Sequence, residues 1–253
     1  MEGYKNRILQ VDGPYKTKEG PGPEYETCCT FGTMIMNKDL AGVIKANELC
    51  NRAGMDTISG GAAIAFPYEC YEKGIITRTD ADGLELLWGN IDPALKLIEM
   101  IAERKGIGSV LSEGTRGAAA KLGRGAEELV VDVKGLDAPM HDPRGWHGMG
   151  LGYAVSTRGA CHLQHMTLYV EQGMSAYPET GLETNYKGPQ SEGKAEIYLI
   201  SKNLGVPCNS ACLGRMGVYE SDWNAADPNG SECRGIRFGA VCKRCSHGWV
   251  GYL

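Results

Sequence analysis

The chain has 253 residues, 42% of them hydrophobic, which is enough for one large domain or two ordinary ones and excludes a disordered chain. Its 26 basic and 31 acidic residues leave a net charge of -5, which offers no electrostatic footprint for nucleic acid or anionic lipid. Glycine is the outlier, at 36 residues with no collagen-like period, so the excess must serve turns and close backbone approaches.

No apolar run reaches the roughly 18 residues of a membrane span, and Met1 to Gln10 is charged rather than signal-like, so the expected location is cytoplasmic. Ten cysteines in such a chain point to buried thiols or metal ligation rather than a disulfide scaffold.

In chain order, the first 23 residues read as a lead-in, because Gly13-Pro14 and Gly20-Pro-Gly-Pro23 are breakers that no stable element should cross. Leu40, Val43, Ile44 and Leu49 recur near a 3.6 period and predict a helix over Asp39 to Arg52, with Gly54 as its C-terminal cap. Gly60 and Gly61 open a second helical stretch running to Tyr71, with Pro67 either kinking it or in its first turn. Asp92 as N-cap and Pro93 at N1 begin a third, through Leu97, Ile98 and Ile101 to Gly106. Val110 to Leu122 continues in the same style, and Leu129 to Val133 is the one strand-like run. The turn residues after Lys134 suggest a domain junction. Beyond it, Gly148 to His165 is small and tightly packed, Tyr177 to Glu192 is a polar loop, Lys194 to Asn203 is a short helix, and the tail from Asp222 has weak periodicity. The expectation is a mainly α chain in two helical lobes, 24–134 and 135–253, after the 1–23 lead-in.

Four segments carry candidate chemistry. Glu24 and Glu26, in a stretch read as extended, would point the same way and line one wall of a pocket, unless the segment is a solvated acidic loop. Asp137 to His147 packs His141 and His147, Asp142 and Arg144 around two prolines; Asp142-Pro143 is equally a good helix start. Ser156 to His165 brings Arg158, Cys161 and His162 within five positions, as a site or as a buried thiol with a satisfied imidazole. Cys242 and Cys245, with Cys233 and His247 nearby, superficially resemble a metal set but lack a second C-x-x-C arm, while Cys208 and Cys212 share one helical face or are two core thiols.

Taken in order, Gly22-Pro-Glu-Tyr-Glu-Thr27, Asn47-Glu-Leu-Cys-Asn51-Arg-Ala-Gly54-Met-Asp56-Thr-Ile-Ser-Gly60, His141-Asp-Pro-Arg144, Gly148-Met-Gly-Leu-Gly-Tyr-Ala154 and Arg158-Gly-Ala-Cys-His162 resemble the aldehyde ferredoxin oxidoreductase family over residues 8 to 210. The resemblance is to the family's two helical domains, without its N-terminal β domain. It implies a tungsten, or occasionally molybdenum, atom between two pterin dithiolenes, a four-iron four-sulfur cluster, an aldehyde substrate oxidised to a carboxylic acid, and ferredoxin as electron acceptor.

By that resemblance Glu26 is the carboxylate beside the metal and His162 the active-site imidazole. The pterin motif D-x-x-G-L-D falls on Asn51 to Asp56, with Asn51 for its first Asp. The second copy, D-x-x-G-L-C, falls on Lys202 to Cys208, with Lys202 for Asp and Pro207 intruding, and Cys208 would be the fourth cluster ligand. Lys45 stands where some members have a glutamate for an interdomain metal. The family's C-x-x-C-x-x-x-C motif has no counterpart before Glu24, and Cys28-Cys29 has the wrong spacing to replace it. The chain is therefore expected to be a fragment or one half of a split enzyme that needs an N-terminal partner. Two alternatives remain open: the tungsten subunit of a benzoyl-coenzyme A reductase-like enzyme, and a degenerate helical binding module.

Overall fold

The computed structural model of the chain describes residues 8–165, 167–173 and 188–210. Among these, nine α-helices alternate with loops, and the strands are four two-residue segments in two hairpins. The chain forms two compact units, residues 1–140 and 141–253.

The first unit begins with an unexpected ladder. β1 (Ile8–Leu9) pairs antiparallel with β2 (Gly20–Pro21), so the breaker run closes a hairpin instead of isolating a tail. α1 (Tyr25–Phe31) follows at once, and α2 (Leu40–Ala53) starts where Asp39 accepts from the amides of Ala41 and Gly42. α2 ends at Gly54, whose φ of 64° is left-handed and lets its amide reach the carbonyls of Asn51 and Cys50.

α3 (Thr57–Glu72), capped by Asp56, opens three residues before the glycine pair that was expected to start it. It is buried almost all round, from Gly61 through Tyr68, so it shows no amphipathic period and Pro67 is accommodated inside it. Gly61 is there for space: a Cβ at that position would lie 2.5 Å from the Thr30 Cβ, so only glycine lets α3 approach α1.

α4 (Asp92–Glu103) keeps its expected extent, but Asp92 is its first residue rather than its cap; Asn90 Oδ1 accepts from the Asp92 amide, and Asp92 itself accepts from the Tyr15 hydroxyl. Ala94, Leu97 and Ile98 form its buried face. The expected Val110 to Leu122 helix is broken into α5 (Ile107–Leu111) and α6 (Gly114–Leu122). The break falls before Gly114, at a φ of 78°, and Gly108 lets α5 pack closely on α4, because a Cβ there would collide with the Met100 backbone.

The strand-like run shrinks to β3 (Asp132–Val133), paired with β4 (Leu136–Asp137) across the turn at Lys134 and Gly135, both at positive φ. Phe31, Ile35, Ile64, Tyr68, Leu97 and Leu111 anchor one continuous apolar core in this unit.

The second unit is built on α7 (His147–Val155), α8 (Thr167–Glu171) and α9 (Lys194–Ser210). α9 runs seven residues beyond the expected helix end, straight through Gly205. The inner face of α9 is mixed, with Lys194, Ile197, Tyr198 and Ser201 all buried. Lys194 Nζ lies 2.6 Å from Glu171 Oε1, both side chains being essentially solvent-free. The same oxygen accepts from the Gly148 amide at 2.8 Å, so this buried pair also caps the start of α7. Gly152 of α7 leaves room for the buried His165 ring, which a Cβ would strike.

Candidate functional site

Glu24 and Glu26 do not share a wall. Glu24 is the exposed N-cap of α1 and Glu26 lies in its first turn, where two residues of separation turn a side chain to another face. Glu26 is buried and Glu24 is not, because α1 packs that face on α3; Thr27 and Thr57 hydroxyls, 2.9 Å apart, tie the two helices.

The Met140 amide donates to Glu26 Oε2 at 2.8 Å, and the Tyr25 hydroxyl donates to the Met140 carbonyl at 3.1 Å, so α1 grips one residue through both of its backbone groups. Burial pushes the Glu26 carboxyl up; the Met140 amide opposes this, and repulsion from Asp56 and Glu24 adds to it. A carboxyl so placed takes up a proton more readily than a solvated one.

Asn51 to Asp56 forms a helix end followed at once by a helix start. Asn51 stands in the last turn of α2, Gly54 supplies the left-handed residue, and Asp56 caps α3 by accepting from the Ser59 amide at 2.7 Å through Oδ2. Asp56 is exposed, so its carboxylate can also accept from an N–H donor outside the chain, such as a pterin amine.

Asn51 also lines a cleft of about 220 Å³ with Lys18, Glu48 and Arg52. There burial pushes the Glu48 carboxyl up but is outweighed by bonds from Lys45 Nζ, the Lys18 amide and Arg52, which bring it down to about 2. Lys45, at the position of the interdomain glutamate, donates to Glu48 and to the Lys16 carbonyl, and as a cation it is no ligand for a metal ion.

The second motif folds differently. Lys202 to Cys208 lies wholly inside α9, with no left-handed break at Gly205. Lys202 places Nζ 5.6 Å over the Tyr198 ring, a cation where the motif calls for a carboxylate, and it cannot accept a pterin amine. The backbone of Cys208 is helical; its side chain, together with Cys212, Cys233, Cys242, Cys245, His247 and the loop 174–187, lies outside the described residues.

Of the other cysteines, Cys50 and Cys70 are buried in the apolar core and pushed up to about 12 and about 11 by desolvation.

His162 sits on the 156–165 loop, which is pinned at its ends: the Ser156 hydroxyl donates to Gln164 Oε1, and Gln164 Nε2 donates to Thr157 Oγ1 at 2.9 Å. Cys161 beside it is buried. The two histidines that sequence proximity paired, His141 and His147, do not pair. His147 Nδ1 meets Ser191 Oγ at 3.0 Å, whereas the His141 ring lies 5.2 Å from that of His162. Asp142 does not start a helix; its carboxylate forks onto the Arg144 guanidinium and accepts the Arg144 amide, closing a turn before α7.

The Met140 amide and the Glu171–Lys194 pair were not among the candidates. A backbone donor leaves no trace in residue type, and Glu171 and Lys194 sit 23 positions apart with nothing local to connect them.

The motifs can be set against known proteins. The family model described as aldehyde ferredoxin oxidoreductase, domains 2 and 3, matches residues 5–227. The tungsten-containing aldehyde ferredoxin oxidoreductase of Pyrococcus furiosus is 42% identical over 215 residues, covering 83% of this chain and 33% of that protein. Its namesake from Thermococcus kodakarensis is 41% identical over 196 residues, covering 76% and 31%. The chain thus spans about a third of the length of these relatives. A solved active-site complex of benzoyl coenzyme A reductase, with 1,5-dienoyl-CoA, shares the fold with a TM-score of 0.50 at 24% identity, over 62% of this chain and 23% of that one. Among the described residues no helix is long and apolar enough to cross a membrane. With a family model matched across most of its length and two relatives above 40% identity, the chain belongs to the aldehyde ferredoxin oxidoreductase family.

Proposed function

We propose that this chain supplies the helical side of a tungsten-pterin oxidoreductase that oxidises an aldehyde to a carboxylic acid and passes two electrons to ferredoxin or an equivalent carrier. The observation that carries the reading is Glu26, a buried carboxyl raised by its surroundings and held at one oxygen by a backbone amide, on the Pro-Glu-Tyr-Glu segment. Glu26 and His162 belong to different units, and assigning both to one site rests on family membership.

The overall change takes an aldehyde and water to a carboxylic acid, two electrons and two protons. Glu26 accepts the proton of the attacking water. The Met140 amide fixes the orientation of its carboxylate, and the raised proton affinity makes it a stronger base than a solvated carboxylate. His162 donates a ring N–H to the carbonyl oxygen as charge grows there, and its clipped loop holds that donor in place before the reaction. When bound, the tungsten-pterin group supplies the two-electron redox step. Asp56 would hold the pterin amine; Lys202 does not fit the matching role in the second motif, and Cys208 is a single thiol toward a cluster that needs four. The remaining thiolates and the second face of the pterins are therefore assigned to polypeptide outside these 253 residues, in a partner chain or a further domain.

Two measurements test this. Expressed by itself, the chain should bind neither tungsten nor iron stoichiometrically and should not reduce viologen with aldehyde; full loading with turnover overturns the need for a partner. In the completed enzyme, Glu26→Gln should lower aldehyde oxidation by roughly 100- to 10,000-fold. An unchanged rate removes Glu26 as the base.

A further inference from the structure

His141 has no part in the function proposed above, yet its imidazole lies against that of His162. The ring centroids are 5.2 Å apart and the planes are tilted by 50°, a contact geometry favourable for aromatic pairs. Both residues are half-buried.

Each ring is presented by a backbone that is fixed independently of the other. The His141 carbonyl accepts from the Tyr153 hydroxyl at 3.1 Å, and Tyr153 is a buried residue of α7. α7 is in turn anchored at Gly148 by Glu171, itself paired with Lys194. On the far side of His141, the Asp142–Arg144 turn closes the chain into α7. His162 is carried by the loop that Gln164 clips to Ser156 and Thr157.

A histidine on a loop has a soft, roughly two-fold ring torsion, so the same backbone can offer either ring edge to a substrate. A second ring set against one face removes part of that freedom. We propose that His141 is a positioning residue that holds the His162 imidazole in a single orientation. Aromatic contacts of this kind correspond to a bias of about 2- to 12-fold in ring population. The positioning follows from the contact between the rings; its catalytic consequence rests on the role proposed above for His162.

The experiment has one arm that needs no cofactor. The full chain is treated with diethyl pyrocarbonate, and carbethoxylation of His162 is timed by peptide mass spectrometry. His141→Ala should speed His162 modification by about 2- to 12-fold, while His141→Phe, which keeps a flat ring in place, should leave it near the wild-type rate. Tyr153→Phe, which removes only the hydroxyl that holds the His141 backbone, should give a smaller increase and stands in should His141→Ala fail to fold. No change at His162 in either His141→Ala or Tyr153→Phe overturns the proposal.

In the completed enzyme His141→Ala should lower kcat with KM unchanged, and His141→Phe should restore it. A Phe variant as impaired as the Ala variant overturns positioning by ring contact. If the wild-type enzyme turns over no aldehyde, the function proposed above fails, and the labelling arm alone decides the role of His141.

Discussion

The two units hold themselves together by different means. In the first, Phe31, Ile35, Ile64, Tyr68, Leu97 and Leu111 belong to one extended apolar core; the carboxyls Glu26 and Asp137 are also buried in this unit, but no lysine or arginine among its described residues is buried as Lys194 is. In the second, the described residues mix buried apolar groups such as Met149, Val170 and Ile197 with a solvent-free ion pair, a histidine bonded to Thr167 and a helix face containing Tyr198 and Ser201. An apolar core loses stability in proportion to what is removed from it. A polar interior instead depends on every partner being present, because a buried charge left alone is costly.

The sharpest test of that contrast is Lys194→Ala, which leaves Glu171 charged, buried and unmatched. It should cost about 3 to 5 kcal/mol in chemical denaturation, compared with about 2 to 5 for Leu97→Ala in the other unit. The distinguishing result is the double replacement Glu171→Leu with Lys194→Met, which should recover most of the Lys194→Ala loss. No second substitution near Leu97 has an equivalent effect, since a cavity has no partner to remove. A double variant as unstable as Lys194→Ala would erase the distinction between the units.

Next in size is Gly152→Ala, which drives a methyl group into the His165 ring and should cost about 1 to 3 kcal/mol by overpacking. Asp56→Ala removes the cap of α3 and should cost about 1 kcal/mol, read in the same denaturation series. The last effect lies in pH dependence rather than size. Burial raises the folded-state Glu26 carboxyl above its unfolded value of about 4.3, so its contribution is fully present below that pH and is lost as pH rises through the raised value. Glu26→Gln should therefore match the wild type in stability near pH 4 and exceed it near pH 7. A difference independent of pH would show that burial does not govern this carboxyl.

Parts of this fold were legible because their causes are local. The α2 period, the Gly54 cap and the extent of α4 each depend on residues within one or two turns. The misread elements are those in which a distant group decides. The 24–26 segment enters a helix whose close approach to α3 needs Gly61 opposite Thr30, and the 110–122 run breaks just before Gly114, whose φ of 78° is left-handed, while Gly108 lets α5 lie against the Met100 backbone. Asp92 yields the cap position to Ile91 and donates its own amide to Asn90 Oδ1.

The two D-x-x-G-type segments show the same limit. Both keep the glycine, but only the first has an aspartate, Asp56, at its end to begin another helix. In the second, Pro207 and Cys208 follow Gly205 within one continuous α9.

The ordered motifs alone carried the family, because several residue patterns in sequence are specific whatever their surroundings. They also carried the candidates Glu26, Asp56 and His162, whose residue types suit proton transfer, amine binding and oxyanion donation. What the tertiary structure decided is the environment of each. Met140 reaches Glu26 from 114 positions away, Lys194 neutralises Glu171, and His162 meets the ring of His141, with α7 between them in the chain. Proton affinity, burial and ring orientation are set by groups that touch in space, and the chain order of those groups does not encode the contact.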